Sequence, residues 1–319
     1  MRTRTIFGLV CGSLVALAAG AGAVPMQPMI GQPMGGPVAQ TVEKAYPGLA
    51  TGLLSEATLM DLPPGLLATA GPAQVTTKDL ADLIAKAPAA LRPQVQKNAF
   101  YLVEQLATQR LLLAFAKQAA AQGGRSVAGK ADKDIIDDCL KGVASRATVT
   151  DAEVQEYYLE NKEAFGNAPF QQVSAQVRQA ALAENQSDVV ADHIANLGKG
   201  IIAVVSASWA REQAAVGRDN PISRARANGR PTVVAFCAAG NQLSDKMAPI
   251  LQAAVATYMG RANVVTIDLQ QESILAARYG VLAAPAQIFF GRDGKEASRH
   301  SGLLSQEDLE GEMRELGAN

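Results

Sequence analysis

The stretch Pro231–Pro249, P-T-V-V-A-F-C-A-A-G-N-Q-L-S-D-K-M-A-P, decides the fold of the C-terminal part of this chain. Thr232 to Phe236 is a short apolar run rich in β-branched residues, the pattern of a buried strand. A helix-forming segment then leads to Pro249. Further on, Ala284-Pro285-Ala286 precedes a second apolar strand, Gln287 to Phe290. Working outward, the pattern predicts a strand over 231–237, a helix over about 243–259 and a strand from Val264 to Leu269. It then predicts a helix from Ser273 to Tyr279, strands over 286–291 and 296–302, and a terminal helix over 306–316. Asp293-Gly294 supplies a hairpin turn, and Ser305-Gln306-Glu307-Asp308 reads as an N-terminal helix cap. The alternation of strands and helices is that of an α/β domain.

This order resembles the thioredoxin family. That family runs strand, F-W-A-x-W-C-G-P-C, helix, proline, and later a cis-proline before a strand. Arg278-Tyr279-Gly280-Val281 followed by Ala284-Pro285 is similar to the family's Y-G-V-x-x-x-P stretch. The resemblance places Asn241 and Ser244 where the two redox cysteines belong, Gly240 at the preceding tryptophan and Ala235 at the buried acid. An amide cannot attack a disulfide, and a serine hydroxyl lacks the acidity that a thiolate nucleophile requires. The expectation is a thioredoxin-like domain with no catalytic residues and without ordinary dithiol exchange. Pro285 corresponds to the cis-proline, which with Ala284 implies a place where an extended peptide can pair with backbone. The same proline also has a purely loop-shaping role. Cys237, four residues before the lost nucleophile position, is a possible reactive thiol capable of mixed-disulfide formation, or else an inert half-buried one.

Charge is nearly balanced, with 29 Lys and Arg against 30 Asp and Glu, so nucleic acid is not an expected partner. The N-terminus has the form of a secretion signal. Arg2 and Arg4 precede an apolar run from Ile6 to Ala19, and Ala21-Gly22-Ala23 offers a cleavage site. An uncleaved anchor helix is the competing reading. Cys11 does not sit in a lipobox and would leave with the signal. Cys139 and Cys237 then remain in an oxidising compartment, and their spacing does not decide whether they pair. His193 and His300 have no Cys or His at ligand spacing, so no metal site is expected. Both histidines read as solvated. The segment from Val24 to about Thr41 is dominated by Pro, Gly, Met and Gln and reads as a disordered tether. A Met-rich run also suits soft metals such as Cu(I), but the tether reading is favoured.

Residues of roughly 45–225 look mainly helical. Leu67 to Val75 suggests a short strand with Gly71-Pro72 as a turn. Thr76 or Thr77 caps a helix from about Lys78, and a long helix is expected from Pro93 to Ala121, stopped by Gly123-Gly124. Asp132 to Ala144 is a further helix with Cys139 on its apolar side. Thr150-Asp151-Ala152-Glu153 is a capping box, a last helix covers about Phe170 to Asn196, and Ile201 to Val205 is a strand ending near Trp209.

These pieces resemble the N-terminal domain of SurA-type periplasmic chaperones. The family's L-x-x-Q-R-L-L-type helix is matched in V-E-Q-L-A-T-Q-R-L-L-L, Val103 to Leu113. Its V-T-D-A-E-V-x-x-Y-Y-x-x-N-K-x-x-F string is matched from Val149 to Phe165. The resemblance covers most of residues 65–209 and implies binding of unfolded or extended polypeptide clients. A parvulin isomerase domain is common in that family, but no segment of that length is left over here.

The expected fold class is therefore multidomain, a mainly α-helical SurA-N-like domain followed by an α/β thioredoxin-like domain. The expected organisation is a signal peptide over 1–23, a tether over 24–44, a helical domain over 45–210, a linker over 211–230 with a helix around Ile222 to Ala227, and a thioredoxin-like domain over 231–319. The expected function is that of an exported, periplasmic, non-catalytic polypeptide-binding protein, chaperone-like or adaptor. It would use no cofactor and have no membrane span after signal cleavage. The alternative is thiol–disulfide exchange through Cys237.

Overall fold

A computed structural model of the chain describes residues 40–217 and 220–318. The signal and most of the tether lie outside the described residues. The end of the tether segment is ordered, since Thr41 bridges Thr58 and caps α1 (Val42–Ala45).

In chain order, α1 is followed by β1 (Thr58–Met60), β2 (Leu66–Ala70), β3 (Ala73–Thr76), α2 (Thr77–Lys86), α3 (Arg92–Lys97) and α4 (Ala99–Gln122). Next come α5 (Asp132–Ala144), α6 (Asp151–Glu160), α7 (Phe170–Lys199), β4 (Ala203–Ser206), α8 (Ala207–Gly217) and α9 (Pro221–Arg226). The last part holds β5 (Thr232–Cys237), α10 (Gln242–Thr257), β6 (Asn263–Asp268), α11 (Ser273–Arg278), β7 (Ala286–Phe290), β8 (Glu296–Ser301) and α12 (Gln306–Glu315). The described residues divide into two compact units. One comprises 40–70, 74–107, 202–217 and 220–318, and the other comprises 71–73 and 108–201.

The second unit is helical. The later part of α4 supplies Leu112 and Leu113, which pack with Ile136, Leu140 and Val143 of α5 and Val190 of α7. Val154 and Tyr158 of α6 pack on Val173, Val177 and Ala181 of α7. The Tyr158 hydroxyl donates to the Ala168 carbonyl at 2.7 Å, and its ring lies 5.3 Å from that of Phe170. Thr150 closes the expected capping box with Glu153 at the start of α6.

The first unit contains two four-stranded sheets, ordered β1-β4-β2-β3 and β6-β5-β7-β8. In the first sheet, β4 runs parallel to β1 and antiparallel to β2, with Ala68 opposite Val205. Phe100 of α4 stacks on Trp209 of α8 with ring centroids 5.2 Å apart. Three local expectations are refined here. The single strand over 67–75 is a hairpin of β2 and β3. Trp209 lies in a helix beyond the strand rather than at its end. The long helix over 93–121 is two helices, because Asn98 leaves the helical conformation (φ −109°, ψ 27°) and its side-chain amide donates back to the Gln94 carbonyl at 3.0 Å.

The second sheet is covered on both faces. Met247 and Leu251 of α10, with Leu309 and Met313 of α12, pack on Val233, Ala235 and Phe289. Ile222 of α9, with Leu275 and Ala276 of α11, packs on Val234, Phe236, Ile288 and Phe290. The connection expected over 211–230 thus contains α9, whose Ile222 is fully buried in the core of this sheet. Gly294 makes the β7–β8 turn with φ +75°, and a Cβ there would meet the Arg226 carbonyl oxygen at 2.9 Å, so the turn needs glycine. Among the described residues, no helix is long and apolar enough to cross a membrane.

Candidate functional site

The candidate site lies at the end of the second sheet where β5 stops and β7 begins. Phe236 pairs with Ala286, which brings Cys237 and the Ala284-Pro285 peptide to the same end. The short loop after Cys237 turns at Gly240, with φ +75°, and enters α10 at Asn241. The peptide bond before Pro285 is cis.

Asn241 is the N-cap of α10. Its Oδ1 accepts from the backbone N–H groups of Leu243 and Ser244, each at 3.0 Å, and so satisfies two donors that a helix leaves unpaired. Ser244 is 4% exposed, and its Oγ accepts the Ala238 N–H at 3.1 Å. Both side chains are therefore occupied in holding the loop onto the helix. Ala235 is fully buried in an apolar layer with no acid beside it on its own strand.

Cys237 is half-buried and packs against the cluster containing Met247 and Leu251. Burial raises its thiol above the ordinary value, and the nearby Asp268 carboxylate raises it further. That environment works against a thiolate. Cys139 is likewise a free thiol.

Pro285 is buried, and its carbonyl accepts the Gly302 N–H at 2.8 Å. Ala284 is half-buried, and among the described residues its backbone N–H and C=O have no hydrogen-bond partner. Leu243 at the start of α10 and Leu282 ahead of the cis peptide are 43% and 60% exposed. These two leucines belong to the candidate surface, and sequence reasoning passed over both. Apolar residues at a helix start and in a loop read as core until the strand register is known.

Beside the loop, Cys237, Ser244, Leu251, Val255 and Thr266 line an open cavity of about 310 Å³. A smaller one of about 200 Å³, in the helical unit, is lined by Phe115, Ile136, Cys139, Leu140, His193 and Leu197. His193 is thus half-buried on a cavity wall rather than solvated, because α7 turns that face toward α4 and α5. His300 lies on edge strand β8 with its Nε2 3.3 Å from the Leu303 carbonyl oxygen. Among the described residues, no group of three or more His, Cys, Asp or Glu is placed to hold a metal ion.

Residues 222–315 match the family model described as Thioredoxin. Thioredoxins of Staphylococcus aureus strains Mu50 and N315 are each 32% identical over 63 residues, which is 20% of this chain and 60% of the relative. The chain thus spans about 60% of the length of the curated relatives it matches. The crystal structure of Fasciola hepatica thioredoxin is 30% identical, covers 27% of this chain and 81% of its own, and has a TM-score of 0.25. The C-terminal region of the chain is a thioredoxin-like domain in a helix-rich protein.

Proposed function

We propose that this is an exported polypeptide-binding protein, chaperone-like or adaptor, whose thioredoxin-like domain does not exchange disulfides. The observation that carries this reading is at the start of α10. Asn241 and Ser244 spend their side chains on capping the helix and tying the loop, while the unpaired backbone of Ala284 lies at the same end of the sheet. Such a surface offers backbone pairing and apolar contact without a nucleophile. The SurA-like helical segment over 45–210 supports the same reading by resemblance. The N-terminal residues 1–23, read as a signal, support export to the periplasm.

Insulin reduction by dithiothreitol tests both halves of the proposal at once. A disulfide exchanger accelerates the clouding caused by the released B chain, whereas a binder of unfolded chains delays it. The protein at stoichiometric concentration is expected to delay clouding, and Cys237→Ser is expected to leave the delay unchanged. Acceleration that Cys237→Ser abolishes would establish the one-cysteine exchanger instead.

A further inference from the structure

Among the described residues, the sheet of the thioredoxin-like domain ends at β6, which has a neighbour on one side only. Asn263 N–H donates to the Pro231 carbonyl and Leu269 N–H to the Cys237 carbonyl, both at 2.8 Å. Backbone groups alternate in direction along a strand, so Val265 and Ile267 also face β5. Val264 and Thr266 then present their N–H and C=O groups to the open edge, and among the described residues neither has a hydrogen-bond partner there. Natural edge strands are usually blunted by lysine, proline or a bulge. The sequence Asn263-Val264-Val265-Thr266-Ile267 has none of these, and its pairing with β5 is continuous.

The edge is flanked by the second ingredient of strand addition, a side-chain pocket. Thr266 is exposed and lines the 310 Å³ cavity together with Val255, Leu251 and Ala248. A strand laid beside β6 would bring one of its side chains over that opening. Asp245 lines the cavity, and Asp268 closes the end of β6. Neither carboxylate has a salt-bridge partner among the described residues.

We propose that β6 is a docking edge for an extended segment of a client polypeptide. The segment adds a fifth strand through the backbone of Val264 and Thr266, places a large apolar side chain in the adjoining cavity, and carries a Lys or Arg beside Asp245 and Asp268. The inference rests on the polypeptide-binding reading above and assigns it a second surface, apart from the Ala284 backbone. Two other occupants fit less well. A second copy paired edge to edge would offer that face only Val264, Thr266 and Asp268, none large enough to fill the cavity. The chain's own segment 24–40 has prolines at 25, 28, 33 and 37, each lacking the N–H that a ladder needs.

The test uses a fluorescein-labelled peptide, Ser-Val-Phe-Val-Leu-Val-Lys, and anisotropy with the purified protein. Thr266→Pro removes one edge-facing N–H without touching the β5 ladder, and Ala248→Phe fills the cavity. Each is expected to weaken binding at least tenfold with an unchanged circular dichroism spectrum. Should Thr266→Pro fail to fold, Ala248→Phe and hydrogen exchange on the unaltered protein still decide, since peptide is expected to slow exchange at Val264 and Thr266. Binding that neither variant weakens, with no new protection at those amides, would overturn the docking edge and leave the proposed function standing. Absence of any peptide binding would remove both. A dimer that Thr266→Pro dissociates would give the edge to a second copy. Protection lost on deleting residues 24–39 would give it to that segment, and either result overturns the proposal.

Discussion

At the residue scale, Glu104 is a carboxylate buried among backbone amides. Its side chain is buried in α4, where it accepts the N–H groups of Thr51 and Gly52 at 3.0 Å and of Leu54 at 2.9 Å. Burial pushes its carboxyl above the ordinary range, while the three amides and the Arg278 charge pull it back without cancelling the rise. Removing the acceptor strips the buried Leu54 donor and the half-buried Thr51 and Gly52 donors of their partner, so Glu104→Ala is expected to lower stability by about 3 kcal/mol in urea unfolding at pH 7. The pH dependence has a definite sign. A raised folded pKa means that folding takes up a proton, so the stabilising contribution is complete below about pH 4.3 and is lost as pH rises through the raised value. Glu104→Gln should lack that slope, and parallel stability–pH curves for the two proteins would refute the assignment. None of this was legible in the sequence. Glu104 sits in a long helix-forming run, where a lone carboxylate reads as solvated, and its partners are about fifty positions away in a loop with no motif. The roles of Asn241 and Ser244 were more accessible, because a cap residue and its target amides are neighbours in sequence.

At the scale of single elements, α10 invites a direct experiment. A cysteine at a helix N-terminus gains thiolate character from the helix dipole and the unpaired N–H groups. Asn241→Cys with Ser244→Cys places two thiols in those positions, and the double variant is expected to reduce insulin at least tenfold faster than the parent. Failure to gain activity, with both thiols titratable in the unfolded protein, would mean that the end of the sheet lacks the geometry inferred for it. The elements from β5 to α12 were readable from sequence to within about two residues. β5, β6 and β7 are short runs with an apolar centre, β8 is announced by the Asp293-Gly294 turn before it, and the caps at Asn241 and Ser305 lie next to the helices they open. The first sheet was not readable as a sheet. β1 has only three residues, and β4 finds its partners more than 130 positions earlier, a pairing that periodicity cannot announce. The break at Asn98 was hidden because the apolar spacing continues on both sides of it.

At the scale of the whole molecule, the thioredoxin-like domain does not stand free of the segment before it. Ile274 of α11 is buried against Val95 and Tyr101, and Arg278 donates to the carbonyls of Gly48 and of Leu49, the latter at 3.1 Å. A fragment of residues 220–319 uncovers Ile274, and burial of one such side chain contributes about 1.5–3 kcal/mol. The fragment is therefore expected to unfold at a lower urea midpoint than the same region in the intact chain, followed by hydrogen exchange at β5 and β7. Equal midpoints would show that the contact adds nothing. The order of strands in the first sheet also bears on how the protein is made. β4 lies between β1 and β2, yet it leaves the ribosome only after the whole helical segment 108–201. At roughly 5–20 residues per second, the nascent strands wait on the order of ten seconds for the strand that joins them. Throughout that interval the newborn chain is itself unfinished polypeptide, in need of the kind of protection proposed as its mature task.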